Sequence, residues 1–341
     1  MKDHLSKAEG LQPVVAVFGA AGHTGRFVIK ELSRRGFTAI AISRNAASLA
    51  AADFPAGVRR EVAAIEDPGS LARTLTGADA VINCAGPFLD TAEPLVSAAL
   101  RARIHYFDVT AEQASAQAIF EQYSAAAEEA GVAVVPAMGF YGGLGDLLAT
   151  AAMGDWTRAD EARIAIALDS WKPTEGTRVT GRRNTVHRLT LSEGKLRPLA
   201  DPAPNVIWPF PEPFGAQEMV ELPFTEAILI GRHLQVSELH TYLNTAPLRD
   251  LRDAKTSPPV AADASGRSAQ TFLVEVEVRQ GSTVRRAFAR GRDIYATTAP
   301  FVVEAVERVL KGAIAQGGVF APGALFDARN FLAALAPDVL S

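Results

Sequence analysis

Six short apolar runs alternate with longer helix-type stretches over the first 136 residues, and this alternation constrains the chain more than any other feature. The runs are Val14–Phe18, Thr38–Ser43, Arg59–Ala64, Ala80–Cys84, His105–Asp108 and Val132–Pro136. Between them lie stretches such as Thr24–Arg35 and Glu112–Ala130, rich in residues that lose little freedom in a helix. Asp67-Pro68 marks one helix start, with Asp as N-cap and Pro at the first helical position, where its missing N–H costs nothing. Strand and helix repeated in this way predict an α/β fold with a parallel sheet covered on both faces. Right-handed crossovers make that sheet doubly wound, the Rossmann arrangement, with ligands bound at the carboxyl ends of its strands.

The pattern changes after about Gly154. Arg163–Leu168, Val186–Leu191, Gln235–Leu243, Thr271–Arg279 and Arg285–Arg290 read as strands, with few long helices between them. Ser192-Glu193-Gly194-Lys195 reads as a hairpin turn leading into Leu196–Leu199. In Thr271–Val278, strict alternation puts Phe272, Val274, Val276 and Val278 on one side, and Glu275 and Glu277 on the other. A second, α+β mixed-sheet domain follows from this. Seven prolines between Pro198 and Pro223 argue against regular structure there. The same stretch carries Trp208, Phe210 and Phe214, too much apolar surface for a freely solvated loop. It serves as a lid, as a subunit interface, or as packing over its own core. Asp253–Gln270 reads as irregular, and Pro300–Ala315 as a helix that returns to the first domain. The expected division is residues 1–150 for dinucleotide binding, 151–299 for substrate binding and homodimer formation, and 300–341 as the returning segment.

Composition narrows the function. A chain of 341 residues, 48% hydrophobic and 21% charged, suits two buried cores. A net charge of −4 gives no electrostatic case for nucleic acid or an anionic membrane. Met1 to Gly10 is polar, without the apolar centre of a signal peptide. No apolar run is long enough to span a bilayer. Cys84 is the single cysteine, so no intrachain disulfide forms, and a cytoplasmic location is expected.

The first strand runs directly into Gly19-Ala20-Ala21-Gly22-His23-Thr24-Gly25 and then a helix. Glycines at such a turn let the backbone approach a pyrophosphate, and the helix N-terminus supplies N–H donors and a favourable dipole. The spacing is GxxGxxG, a variation on GxGxxG, and its place on the first of six alternating units gives it weight. An NAD site would place an acid at the end of the second strand for the ribose 2′-hydroxyl. Here that position reads Ser43-Arg44-Asn45. Arg44 can pair with a 2′-phosphate and Ser43 can add a hydroxyl donor, so NADP(H) is the expected cofactor; a solvated surface arginine is the alternative. The fourth strand ends in Asn83-Cys84-Ala85-Gly86-Pro87-Phe88, small residues that let a dinucleotide cross the sheet edge. Asn83 and the Gly86 backbone are candidate ribose contacts. Cys84 at a strand end reads as packing rather than as a nucleophile.

Val17–Gly25, Val81–Phe88 and Tyr106-Phe107-Asp108-Val109-Thr110-Ala111-Glu112 together resemble the saccharopine dehydrogenase-like family, whose versions read approximately GAxGxTG, VINCxGP and YxDxTGE. Met138–Ala149 is similar to that family's loop after the sixth strand. The resemblance covers about the first 150 residues. It implies NAD(P)-linked redox chemistry, a mixed-sheet second domain used for substrate binding and dimerisation, and a C-terminal return to the first domain. Tyr141 and Gly142 stand where the family often has Asp or Pro, and Ala111 where it has Gly, so substrate contacts there are expected to differ.

Hydride transfer to a carbonyl or imine requires positioning and sometimes a proton donor. Asp108, at the end of the fifth strand, can orient an amine or accept a proton, or it can cap the helix beginning near Glu112. Tyr141 can donate to a substrate oxygen, or pack with its hydroxyl exposed. Thr174–Arg178 and Arg182-Arg183 offer cations and hydroxyls to a carboxylate, or form a solvated face. His23 reads as a backbone donor in the turn. The six histidines form no HExxH or short ligand pair, so no metal is expected. The leading reading is an NADP(H)-dependent oxidoreductase for a small amino-acid, imine or keto substrate. The alternative is a non-catalytic NADP-binding sensor or scaffold, because a Rossmann fold alone does not prove turnover.

Overall fold

A computed structural model describes residues 12–336 and 340; the polar stretch Met1–Gly10 and its His4 lie outside the described residues. The first part of the chain alternates β1 (Val14–Phe18), α1 (His23–Arg34), β2 (Thr38–Ser43), α2 (Ala46–Ala51), β3 (Arg59–Val62), α3 (Pro68–Leu75), β4 (Ala80–Asn83), α4 (Phe88–Ala102), β5 (His105–Asp108), α5 (Gln113–Ala130), β6 (Ala133–Val135) and α6 (Gly143–Met153). A second series follows: β7 (Arg158–Leu168), α7 (Glu175–Arg183), β8 (Leu189–Ser192), β9 (Lys195–Pro198), β10 (Asn205–Pro209), β11 (Ala216–Glu221), α8 (Glu226–Ile230), β12 (Gln235–Asn244), α9 (Thr245–Arg252), β13 (Thr271–Gln280) and β14 (Thr283–Arg292). The chain ends with α10 (Ile294–Leu310), β15 (Gly318–Val319), α11 (Pro322–Leu325) and α12 (Ala328–Leu335).

The first sheet is parallel, in the order β15-β6-β5-β4-β1-β2-β3. Its direction of winding reverses between β1 and β4, where Phe18 pairs with Ile42 on one side and Asn83 on the other. A doubly wound sheet opens a crevice at such a reversal. The helix start at Asp67 forms as expected: its side chain accepts from Gly69 N and Ser70 N, with Pro68 in the first turn. One strand of this sheet was not anticipated. The two residues of β15 come from the C-terminal part of the chain and extend the edge beside β6, and a strand that short carries no periodicity.

The second sheet runs β10-β11-β12-β7-β13-β14, with the β8–β9 hairpin attached to β12. It is mixed: β12 lies parallel to β7, and β13 antiparallel to it. Phe272, Val274, Val276 and Val278 are buried in the core that α6 shares with this sheet. The proline-rich stretch departs from its expected irregularity, because β10 and β11 form an antiparallel pair in it, with Trp208 opposite Gln217. Pro209 falls at the end of β10, and β10 is an edge strand, where a missing N–H leaves no ladder bond unmade. Trp208 and Phe210 are neither lid nor free surface. They pack with Ala165, Ala167, Met219, Tyr242 and Leu273 on the outer face of the same sheet, and Trp208 Nε1 donates to Glu275 at 2.9 Å.

The returning helix α10 begins at Ile294 rather than at Pro300, because Asp293 caps it by accepting from Tyr295 N and Ala296 N, both at 3.0 Å. It packs along α1. Arg35, just past the end of α1, binds Glu304 and Glu307 of α10 together with Glu31 of its own helix. Among the described residues no helix is long and apolar enough to cross a membrane.

Candidate functional site

The turn after β1 is built so that only small residues fit. Gly19 has φ +81°, and a Cβ there would lie 2.8 Å from Ala85 N, so the β1 and β4 exits touch backbone to backbone. A Cβ on Gly25 would lie 2.3 Å from Gly19 O, which seats the first turn of α1 directly on the loop. Gly22 is the N-cap of α1. It offers no side-chain cap, and the first turn holds no acidic residue. The leading N–H groups therefore lack internal acceptors and point toward solvent with the positive end of the helix dipole, a cradle for an anion. Ala21 contributes only its carbonyl, which accepts from Arg26 Nε at 2.9 Å.

Gly22, His23 and Thr24 form one wall of a cavity of about 860 Å³. The opposite wall comes from the second sheet: Trp171 and Thr174 after β7, α7, Arg188 before β8, and Phe224 after β11. Tyr295 of α10 ties the walls together. Its hydroxyl takes a hydrogen bond from Trp171 Nε1 at 3.1 Å and shares one with Thr177 Oγ1 at 2.9 Å, while its ring stands edge-on to His23. The His23 Nε2 atom is buried without a partner, and burial holds its pKa below the ordinary 6.5, so the ring is neutral at pH 7.

Ser43 and Arg44 sit together at the end of β2. Arg44 is exposed and has no side-chain partner among the described residues, and Ser43 Oγ accepts from Asn45 N at 3.3 Å. The β4 exit differs from expectation. Asn83 is fully buried: its Nδ2 donates to Thr91 Oγ1 and Tyr106 Oη, and its Oδ1 accepts from Ala85 N. It therefore shapes the loop from behind and does not reach a ribose. Cys84 does line the cavity, but burial raises its thiol pKa, first, and the nearby Asp108 adds to the rise, so it stays protonated. Gly86 lies under α7, where a Cβ would meet Thr180 Oγ1 at 2.5 Å, and Pro87 leads into α4. The first turn of α4 is capped from outside by Glu112, whose oxygens accept from Phe88 N at 2.7 Å and Leu89 N at 3.0 Å.

Asp108 neither faces the cavity nor caps α5. Oδ1 accepts from Thr110 N at 3.0 Å and Ala137 N at 2.7 Å, and Oδ2 accepts from Tyr106 Oη at 3.0 Å. It pins the β5 and β6 exits together. Burial pushes its pKa up to about 6, against the pull of these donors. Tyr141 does reach the cavity. Its ring stacks on Phe224, centroids 4.1 Å apart, and on Trp171 at 5.5 Å; its hydroxyl is not exposed, as one of the two readings had it, but buried without a partner among the described residues. The α7 cations are mostly engaged. Arg178 donates to the carbonyls of Leu251, Asp253 and Thr256, Arg182 pairs with Glu175, and Arg183 with Asp90. Sequence reasoning missed Arg188, Trp171, Phe224 and Tyr295, since nothing in their local pattern separates them from packing residues. Among the described residues no cluster of three or more His, Cys, Asp or Glu side chains could hold a metal ion.

Comparison with known proteins agrees with this geometry. The family model described as saccharopine dehydrogenase NADP binding domain matches residues 15–138. A protein of Arabidopsis thaliana named "Probable mitochondrial saccharopine dehydrogenase-like oxidoreductase" is 30% identical over 144 residues, 37% of this chain and 31% of that protein. A saccharopine dehydrogenase-like oxidoreductase of Bos taurus is 27% identical over 145 residues, 37% of this chain and 34% of that protein. The matched segment thus spans about a third of the length of these curated relatives. The apo saccharopine dehydrogenase (L-Glu forming) of Saccharomyces cerevisiae superposes with a TM-score of 0.68 at 13% identity, covering 96% of this chain and 97% of that one, a likeness of fold. Residues 15–138 thus match a saccharopine dehydrogenase NADP binding domain.

Proposed function

We propose that the chain is an NADP(H)-dependent oxidoreductase acting on a small molecule in the cavity between the glycine turn and the second sheet. The observation that carries this reading is the continuity of that cavity, from Gly22 at the N-terminus of α1 to Arg188 and Phe224. The open N–H groups of the first α1 turn fit a pyrophosphate, and Arg44 with Ser43 fits a 2′-phosphate. NADP(H) bound in this way supplies the hydride equivalent. The chain's own residues exclude water and orient the substrate. Trp171, Tyr141 and Phe224 form a dry aromatic wall, and the Tyr141 hydroxyl, kept protonated by burial, offers a donor with no internal acceptor. In this reading residues 1–150 bind the cofactor, 151–299 bind substrate, and 300–341 return to the first sheet.

A homodimer in the cytoplasm completes the proposal. Pairing is supported by the outer face of the second sheet, where Phe288 of edge strand β14 is 64% exposed. The single cysteine suits a reducing compartment. Titration with NADPH, followed by its oxidation in the presence of a panel of keto acids and imines, tests the function. Turnover of one of them is expected. Tight binding with no turnover across the panel would favour a sensor, and no binding would sink the cofactor reading.

A further inference from the structure

Arg188 stands out among the cavity's arginines. Arg178 spends its guanidinium on three carbonyls, Arg182 is paired with Glu175, and Arg252 is exposed. Arg188 lies deeper, with its guanidinium 4.8 Å over the Phe224 ring and one donor to Pro223 O at 2.6 Å. No carboxylate among the described residues forms an ion pair with it. Glu226, whose charge it feels, is buried and accepts instead from Phe224 N at 2.8 Å. A guanidinium has five donors in a planar fork, so most of this one remains unspent. The Tyr141 hydroxyl, buried without a partner, belongs to a ring stacked on the same Phe224. Arg188 and the Tyr141 ring therefore contact the same Phe224 ring at one end of the cavity, and the unspent donors open there are those of Arg188.

The rest of that end is apolar. Phe140 stands edge-on to Tyr141, and Trp171 stacks on it with its N–H already given to Tyr295. A second carboxylate placed there would be desolvated without a cation, which is costly. We infer that the substrate is a monocarboxylate with an apolar, planar body, its carboxylate received by Arg188 and its body lying against the aromatic stack of Trp171, Tyr141 and Phe224. This rests on the reading of the cavity as the substrate site of an NADP(H)-dependent enzyme. It makes Arg188 a specificity-determining residue.

The test is isothermal titration of the full chain with cinnamate, its neutral isostere cinnamamide, and 2-oxoglutarate, each with and without saturating NADPH. Cinnamate is expected to bind at least about tenfold more tightly than cinnamamide, the worth of a charge-assisted pair, and more tightly than 2-oxoglutarate. Arg188→Gln should bring cinnamate down to the level of cinnamamide with NADPH affinity unchanged, and Arg188→Lys should recover part of the loss. Equal binding of cinnamate and cinnamamide by the wild type, tighter binding of 2-oxoglutarate, or no cinnamate binding at all overturns the inference, whether or not the variants fold. Failure of NADPH to bind shows in its own isotherm and overturns the cofactor reading instead, because the titrations without NADPH still decide between the carboxylates.

Discussion

Asp108 holds three donors on two oxygens in a fully buried site, and its strain is electrostatic. Its pKa is about 6 in the folded protein against an ordinary 3.8. The folded state therefore takes up the proton first as pH falls. Above pH 6 the carboxylate is charged in both states and folding bears the full cost of burying it. Between pH 6 and about 4 that cost is progressively relieved. Wild type should thus gain stability relative to Asp108→Asn as pH drops through this window, read from urea midpoints at pH 7 and pH 4.5; a constant difference would refute it. Arg44 makes the opposite case, an exposed cation without a side-chain partner among the described residues. Arg44→Ala should weaken NADPH by about 1.5–3 kcal/mol, the worth of a charge-assisted contact, and leave NADH unchanged. Equal wild-type affinity for the two cofactors would remove the argument. Residue types were legible at both positions, whereas their directions were not. Asn83 and Asp108 sit at strand ends of the kind where open α/β sheets bind ligands, yet both turn inward, Asn83 donating to Tyr106 Oη and Asp108 accepting from Ala137 N, partners distant in sequence.

The glycine turn was the most legible element, because one short segment holds both its backbone requirement and its helix. Its glycines should nevertheless fail in different ways. A Cβ on Gly25 meets backbone, Gly19 O at 2.3 Å and Ala20 Cα at 2.8 Å. Gly25→Ala should therefore push α1 off the loop and destabilise the fold by about 1–3 kcal/mol, the cost of overpacking. Gly22 is exposed, and a Cβ there meets only Gly19 O at 3.1 Å. Gly22→Val should keep its melting temperature and its circular dichroism while losing NADPH binding. A Gly22→Val protein that binds NADPH as tightly as wild type would place the pyrophosphate elsewhere. Elements stabilised from afar were the least legible. The β10–β11 pair forms despite its prolines because Trp208 and Met219 bury their apolar surface against Ala165, Tyr242 and Leu273, and β15 exists only because β6 offers it an edge.

At the scale of the whole molecule, α1 and α10 are held together by Arg35, which binds Glu31, Glu304 and Glu307 from a mostly buried position. Removing one partner of a buried ionic cluster leaves the others uncompensated. Arg35→Met should cost about 3 kcal/mol, seen as a lower urea midpoint, and an unchanged midpoint would show the cluster to be solvated. Light scattering after gel filtration addresses the proposed dimer. A dimer mass is expected, with Phe288→Glu shifting it toward monomer, and a monomer mass for wild type at micromolar concentration would refute it. The return of the chain to its first sheet also bears on synthesis. The edge beside β6 is closed by β15, and the flank of α1 by α10, both encoded after the entire second sheet. A nascent chain emerging N-terminus first therefore presents an open strand edge and a bare helix flank throughout the translation of β7–β14. Both are surfaces on which chains stick to one another. A ribosome stalled anywhere in that interval holds a half-built sheet, and its release as a fragment should yield aggregates rather than a smaller working protein.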